Sequence, residues 1–208
     1  MRRGQVVVKF EGTFTIEDVT LEEVWLALSD PYMIKQALPG CQFLTEVEDP
    51  GAVDFAALRA AADEEADPPT LPEATPEEIA DRAFVEGDHY AALMEIRVGN
   101  ISPGFQTVVT IDEREMPMMA ASGEGEASHS SFETNTRMEL ADHNDGVDIQ
   151  WEAEANVFGK IAEMGQRVVN PVANRVVGRF FGAVEDRLVE VADDENTGGI
   201  RKRVRDLL

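Results

Sequence analysis

The sequence predicts an α+β fold in which a curved antiparallel sheet of about six to seven strands surrounds a long C-terminal helix, with two short helices near the N-terminus. Two patterns lead to this prediction. Apolar and polar residues alternate near the N-terminus and in a series of segments between residues 90 and 157. Between residues 158 and 191 the apolar residues recur every three or four positions, the period of an amphipathic helix. Only that helix is long enough to cover the apolar face of the sheet.

The N-terminal segment is predicted to contain a strand, two short helices and a second strand. Residues 5–16 begin with an apolar run and then alternate, as in a strand with one solvated face. Thr20 and Glu23 have the spacing of a capping box, so a short helix is predicted after Thr20. Pro31 fits the first turn of a second short helix, and a strand over residues 41–47 follows it.

Residues 50–86 differ from the rest of the chain in composition. Residues 49–81 contain ten acidic side chains, one basic side chain and five of the ten prolines, with few residues able to pack. We therefore predict an acidic, Ala/Pro-rich insertion that is solvated and mobile, within one domain of residues 5–192. We also expect the domain to fold when a short turn replaces residues 50–86.

Five more strands and a helix are predicted after the insertion. The strands lie over residues 90–98, 105–111, 118–123, 129–140 and 147–157. Their short, turn-rich connections favour an antiparallel meander. The helix covers residues 158–191 and is expected to kink at Pro171. Residues 193–208 are predicted to be a flexible basic tail, which contacts anionic lipid, docks on an acidic partner or has no binding role.

The charge balance excludes several classes of protein. With 41 acidic and 18 basic side chains the formal net charge is -23 at pH 7, which argues against electrostatic binding of nucleic acid. No apolar run is long enough to span a membrane. Only four basic residues are lysine, and this composition is typical of proteins from a concentrated-salt cytoplasm. The single cysteine, Cys41, forms no internal disulfide and fits a reducing compartment.

No catalytic or metal-binding residue is predicted. His89, His129 and His143 have no helix-spaced partner that would complete a metal site. The sequence contains no nucleophile elbow, Walker motif or complete dinucleotide motif. Cys41 has no sequence-local base that would lower its pKa, so a structural role is predicted for it.

A curved sheet around a helix commonly leaves a cavity, so a ligand pocket is predicted between them. Its candidate lining residues, which also suit a plain core, are Met94, Phe105, Met119, Phe132, Met138, Trp151, Met164, Val168, Val172 and Phe180. The segment Leu38, Pro39, Gly40 and Cys41 is predicted either to form the cavity rim or to connect helix and strand. Glycines within the predicted helix, such as Gly178 and Gly182, indicate close approach to the sheet or room for a ligand.

Several short motifs together resemble one known family. They are Val24-Trp25, Ser29-Asp30-Pro31, the ALPGC of residues 37–41, the RVGNISPGF of residues 97–105, the SGEG of residues 122–125 and the GKIAEMG of residues 159–165. This set resembles the CoxG family of carbon monoxide dehydrogenase proteins, a START-like (SRPBCC, Bet v 1-like) helix-grip family. The resemblance covers residues 8–49 and 87–190. The family usually has a tight turn where this chain has residues 50–86, and the acidic composition suggests a haloarchaeal-type member.

The resemblance implies a non-enzymatic accessory protein of a molybdenum-containing carbon monoxide dehydrogenase-type system. Such a protein would hold a hydrophobic, lipid- or quinone-like molecule in its cavity and carry no covalent cofactor. Its expected partner is a molybdenum hydroxylase complex, and its expected location is the cytoplasm, with peripheral membrane contact through the basic tail. Two alternatives remain: an enzyme of the polyketide cyclase or aromatase type, and a protein-interaction module without a ligand. Two or more convergent polar groups in the cavity would favour the enzyme, and a filled interior would favour the module.

Overall fold

Seven strands form one antiparallel sheet in the computed structural model, which describes residues 5–64 and 66–194. The strands are β1 (Gln5–Glu17), β2 (Cys41–Val47), β3 (His89–Glu95), β4 (Gly104–Glu115), β5 (Met118–Ala127), β6 (Ser130–His143) and β7 (Gly146–Gly159). Their order across the sheet is β1-β7-β6-β5-β4-β3-β2. The two strands that come first in the chain therefore lie at opposite edges, and β1 pairs with β7 along its whole length.

The helices are α1 (Leu21–Ser29), α2 (Pro31–Ala37), α3 (Phe55–Glu64), α4 (Pro76–Ala80), α5 (Lys160–Glu163) and α6 (Gln166–Asp194). Helix α6 packs against the inner face of the sheet, where Phe181 stacks on Phe14 at a centroid distance of 5.2 Å and lies 5.8 Å from Trp151. The predicted α+β fold, with a curved antiparallel sheet, a long C-terminal helix and two short N-terminal helices, is confirmed.

Local side-chain contacts explain where the two N-terminal helices begin. Thr20 Oγ1 accepts the amide of Glu23 at 3.3 Å, and Glu23 Oε2 accepts the amide of Thr20 at 2.7 Å, which is the predicted capping box. Asp30 caps α2 by accepting the amide of Tyr32 at 3.0 Å, and Pro31 occupies the first turn. Both helices thus start where the sequence places them.

Residues 50–86 divide into a solvated half and a packed half. Helix α3 has no buried residue, as expected of an insertion. By contrast, Leu71 and Ile79 are 1% and 0% exposed, and Phe84 is also buried in the main core. The expectation that the whole segment is solvated is therefore wrong for residues 70–84. Few residues there are apolar, but those few all point into the core.

The predicted C-terminal helix is interrupted near its start. Helix α5 ends at Glu163, and Gly165 has a φ of +78°, so the chain leaves the helical path before α6 begins at Gln166. Met164 is exposed at this break, which corrects its predicted inward position. Within α6, a Cβ at Gly178 or Gly182 would meet nothing within 4 Å, so close approach does not explain these glycines.

Two expectations about the C-terminal part keep the status of predictions. Pro171 lies inside α6, and the helix continues past it to Asp194; the kink expected there stays a prediction. The basic tail predicted over residues 193–208 falls almost wholly on residues 195–208, which lie outside the described residues. Its contacts with lipid or protein likewise stay predictions.

Candidate functional site

A cavity of about 440 Å³ lies between the inner face of the sheet and α6. Strands β2 to β7 contribute to its wall, and α1, α2, α6 and the segment before β3 complete it. The large side chains in the lining are almost all apolar: Leu28, Ile34, Leu38, Leu44, Phe84, Tyr90, Met94, Ile111, Met119, Phe132, Met138, Trp151, Phe180 and Phe181. Its size falls within the range typical of small-molecule sites.

Small side chains in the middle of the sheet create the space. On the inner face of β5, β6 and β7, Ala121 pairs with Thr136 and Thr136 pairs with Ala153, so three small residues lie side by side. Gly123 and Thr134 form the next row. Since α6 cannot approach the sheet more closely than its own Val176, Val177 and Phe180 side chains allow, the volume above these small residues stays open.

Two glycines make room for the aromatic residues at the ends of the cavity. A Cβ at Gly12 would lie 3.1 Å from the Trp151 ring, and a Cβ at Gly125 would overlap the Phe132 ring. Phe132 therefore lies over Gly125 and meets Phe105 edge to face at 5.2 Å. Only glycine at these two positions lets the rings lie flat on the neighbouring strand.

Six of the ten candidate lining residues border the cavity: Met94, Met119, Phe132, Met138, Trp151 and Phe180. Phe105 is buried behind Phe132, and Val168 and Val172 pack against the core nearer the start of α6; none of the three borders the cavity. Met164 is exposed. A ligand-binding role for any of these residues stays a prediction.

The sequence analysis missed several lining residues. Tyr90 has the same strand parity as Ala92 and Met94, so its inward position was available from the alternation. Phe84 was assigned to the solvated insertion, and only its single large apolar side chain could have indicated otherwise. Phe181 is one position from Phe180, and the helical period alone does not decide which of two adjacent aromatic residues faces inward.

The predicted rim reaches the cavity through one residue. Leu38 borders the cavity, whereas Pro39, Gly40 and Cys41 do not. Gly40 has a φ of +84°, and its carbonyl oxygen accepts the amide of Glu95 at 2.8 Å. A Cβ at Gly40 would collide with the carbonyl oxygen of Glu95, so this turn requires glycine and is fixed against β3.

Cys41 is a packed thiol. It is half-buried at the start of β2, and its Sγ donates to the carbonyl oxygen of Phe43 at 3.3 Å. Burial raises the pKa of the thiol to about 11, so it stays protonated at neutral pH. This agrees with the structural role predicted for it.

Most hydroxyl groups in the cavity wall are already engaged. The Thr107, Thr134 and Thr136 hydroxyls donate to backbone oxygens of Phe105, Glu154 and Ala121 at 3.4, 3.1 and 3.1 Å. Tyr90 differs from them: its ring packs edge to face on Phe84 at 4.9 Å, and burial raises the pKa of its phenol to about 12. The wall is thus apolar with one phenol.

The histidines lie apart from the cavity wall. Nδ1 of His89 is 2.9 Å from Thr110 Oγ1, Nδ1 of His129 is 3.0 Å from the Ser128 hydroxyl, and Nδ1 of His143 is 3.1 Å from Asp148 Oδ2. Across residues 5–64 and 66–194, no three His, Cys, Asp or Glu side chains are grouped so as to hold a metal ion. None of the helices in these ranges has the length and apolar character needed to cross a membrane.

Comparison with known proteins connects this geometry to a family and a fold. The family model described as the CoxG component of carbon monoxide dehydrogenase matches residues 81–189. No curated protein sequence matches the chain. Among solved structures, a conserved protein from Geobacillus kaustophilus is similar, with a TM-score of 0.63 and 19% identity over 88% of this chain and 96% of that one.

Two similar structures are enzymes. The Zhui aromatase/cyclase from a Streptomyces species has a TM-score of 0.53 and 11% identity, covering 94% of this chain and 100% of its own. A norcoclaurine synthase point mutant from Thalictrum has a TM-score of 0.51 and 11% identity, covering 91% and 98%. At these identities the likeness concerns the fold alone.

Proposed function

The chain belongs to the CoxG family of carbon monoxide dehydrogenase proteins, and from that membership we propose that it is an accessory protein that binds a hydrophobic, lipid- or quinone-like molecule. The binding site is the cavity between the inner face of the sheet and α6. The proposed partner is a molybdenum-containing carbon monoxide dehydrogenase-type complex, and the proposed location is the cytoplasm, where the basic tail makes peripheral membrane contact.

The observation that carries this proposal is the cavity of about 440 Å³ with its apolar wall. An empty apolar space of this size forfeits the dispersion contacts that a packed core would make. A hydrophobic molecule entering it regains those contacts and leaves water at the same time. The small residues on β5 to β7 therefore suit a fold that trades core packing for ligand space.

The chemistry of the wall supports binding over catalysis. Catalysis by general acid and base groups needs at least two convergent polar side chains with suitable pKa values. In the part of the chain that the structure describes, the wall offers one titratable group with a shifted pKa, the Tyr90 phenol, whose pKa lies far above neutral pH.

The second candidate function is that of a cyclase or aromatase. It is favoured by the similarity in fold to the Zhui aromatase/cyclase, which is a likeness of architecture at 11% identity. A turnover assay on a polyketide substrate separates the two candidates, because the accessory protein is expected to bind apolar molecules without converting them. The third candidate, a module without a ligand, is disfavoured by the size of the cavity.

A fluorescence titration tests the proposal. Trp151 borders the cavity, and Trp25 can be removed as Trp25→Phe to leave Trp151 as the single reporter. Decylubiquinone is expected to quench Trp151 fluorescence saturably, and a fatty acid such as oleic acid is expected to compete if the site also takes lipids. Absence of saturable quenching by decylubiquinone, together with absence of oleic acid binding, would contradict the proposal.

A matched pair of variants controls this titration. In Ala121→Phe/Ala153→Phe the two large rings occupy the cavity, so binding should be lost. In Ala56→Phe/Ala60→Phe the same change is made on exposed positions of α3, so binding should be kept. For the partnership, mass spectrometry of proteins that co-purify from the native host in concentrated salt should identify a molybdenum hydroxylase complex.

A further inference from the structure

The Tyr90 hydroxyl is a hydrogen-bonding group on a buried side chain, and it has no partner among the described residues. Tyr90 lies on β3 between Glu46 of β2 and Val109 of β4, is 3% exposed, and borders the cavity. Within residues 5–64 and 66–194 its hydroxyl makes no hydrogen bond. A buried phenol usually finds a partner, because leaving a polar group unpaired in an apolar environment costs free energy.

The position of this hydroxyl is fixed by its surroundings. The ring of Phe84 meets the Tyr90 ring edge to face at 4.9 Å. Phe84 is itself held by its amide, which donates to the carbonyl oxygen of Ser29 at 3.0 Å. With β-sheet neighbours on both sides and an aromatic ring against it, the phenol has little freedom to turn towards another protein acceptor.

Arg114 adds a positive charge on the same side of the sheet. A bulge between Ile111 and Glu113 shifts the parity of β4, so that Arg114 pairs with the inward-facing Met119. Its guanidinium lies over the Trp25 ring at 5.4 Å and donates to the Ser29 hydroxyl at 3.1 Å. Among the described residues, no carboxylate forms an ion pair with it.

These surroundings keep the phenol a donor. Burial, with help from Glu46 and Asp88, raises the pKa of Tyr90 to about 12, while Arg114 acts in the opposite direction. The hydroxyl therefore carries its proton throughout the physiological pH range, and the nearby guanidinium polarises the O–H bond. By contrast, the three threonine hydroxyls in the wall donate to backbone oxygens.

We propose that Tyr90 is a specificity-determining residue of the cavity: its hydroxyl donates a hydrogen bond to a carbonyl or ether oxygen of a neutral, otherwise apolar ligand. The site would thus select oxygen-bearing ligands over pure hydrocarbons of the same shape. This inference rests on the proposed ligand-binding function and adds the chemical class of the ligand.

The test uses two probes that differ in one oxygen. Prodan is a neutral naphthalene dye with a ketone, and its emission and carbonyl stretch report hydrogen bonding to that ketone; the second probe carries a propyl group in place of the propionyl group. Tyr90→Phe should raise the Kd of prodan about five- to tenfold, the value of one lost hydrogen bond in an apolar site. The Kd of the propyl probe should not change.

The other tyrosine of the chain provides a matched control. Tyr32 lies on α2 with Arg82 over its ring and does not border the cavity, so Tyr32→Phe should leave both Kd values unchanged. Infrared spectroscopy of prodan bound to the wild-type protein needs no variant: the carbonyl stretch should lie at the lower wavenumber of a hydrogen-bonded ketone. Tyr90→Phe should return it to the value of a free ketone.

The possible outcomes separate the two proposals. Equal prodan affinity in wild type and Tyr90→Phe, or a free-ketone stretch in the wild type, overturns the role of Tyr90 while cavity binding stands. Failure of both probes to bind the wild type overturns the cavity proposal and the role of Tyr90 together. A raised Kd for prodan alone, with a shifted stretch, supports both.

Discussion

Arg82 forms a two-point ion pair with the buried carboxylate of Asp30, with Nε 3.0 Å from Oδ1 and Nη2 2.6 Å from Oδ2. Asp30 is 1% exposed and also caps α2. Arg82 Nη2 donates in addition to the carbonyl oxygen of Pro69 at 2.7 Å. One carboxylate thus joins the corner between α1 and α2 to the segment that follows α3.

Removing this carboxylate should destabilise the domain strongly. Asp30→Ala leaves Arg82 partly buried without its partner and removes the cap of α2, so we expect a loss of about 3 kcal/mol or more in the free energy of unfolding. Urea denaturation in concentrated salt measures it. The control is Lys9→Ala, which breaks the exposed ion pair with Glu154 and should have no measurable effect. Equal effects of the two variants would show that the Asp30 pair acts as a surface pair.

The two halves of residues 50–86 should respond differently to the same substitution. Leu71→Ala removes a fully buried side chain and should cost about 2 to 5 kcal/mol, whereas Leu58→Ala on the solvated helix α3 should cost about 1 kcal/mol or less. Replacement of residues 50–86 by a short turn, which the composition suggested the domain would tolerate, is now expected to abolish cooperative unfolding. Retained cooperativity after that replacement would refute the packed role of residues 70–84.

Adjacent phenylalanines on α6 should separate stability from ligand space. Phe181 is 5% exposed and stacks on Phe14, so Phe181→Ala should cost about 3 to 5 kcal/mol in the free energy of unfolding. Phe180 is half-buried and borders the cavity, so Phe180→Ala should cost less and enlarge the ligand site. Thermal melting and decylubiquinone titration of both variants check this. Similar losses of stability would mean that α6 is rotated relative to the structure.

The Cys41 thiol should make the protein sensitive to alkaline pH. The unfolded thiol loses its proton near its ordinary pKa of 9.0, and the folded thiol near 11. Between these values the unfolded state releases its proton first, so stability falls as pH rises, by about 2 to 3 kcal/mol in total. Cys41→Ala should remove this part of the fall, measured as the free energy of unfolding from pH 8 to 11. Parallel curves for the two proteins would contradict the assignment.

The net charge of -23 should make folding depend on salt. Self-repulsion among acidic side chains opposes the compact state, and added salt screens it. We propose that the protein works in a concentrated-salt cytoplasm, as in haloarchaea, and expect its melting temperature to rise steadily from dilute to molar KCl. Sucrose, which does not screen charge, is the control. A melting temperature that is highest in dilute buffer would contradict this proposal.

Features with a local or periodic signal could be predicted from the sequence. The capping box of Thr20 and Glu23 depends on two residues three positions apart, and the long alternation of residues 147–157 allows only one strand register. The family resemblance was also available from short motifs, although the match of the family model begins at residue 81 and excludes the Leu-Pro-Gly-Cys turn.

Features that depend on isolated residues could not be predicted in this way. Leu71 and Ile79 lie in an acidic segment where single apolar residues form no period, so only the folded chain shows that they are buried. Gly165 breaks the last helix through a positive φ, but Gly178 and Gly182 are helical, and nothing in the sequence separates the three. The bulge in β4, which turns Arg114 inward, has no glycine to mark it.

The pairing of β1 with β7 also affects how the domain is made. The last residue of β1, Glu17, pairs with the first residue of β7, Gly146, so the partner of β1 is translated about 130 residues later. At about 5 to 20 residues per second a ribosome needs roughly ten seconds for that distance. During this time β1 emerges as an unpaired apolar strand, and its edge is the place where aggregation during synthesis would begin. Nascent chains that carry charge in place of Val6 and Val8 would escape that hazard but lose the sheet edge that closes the fold.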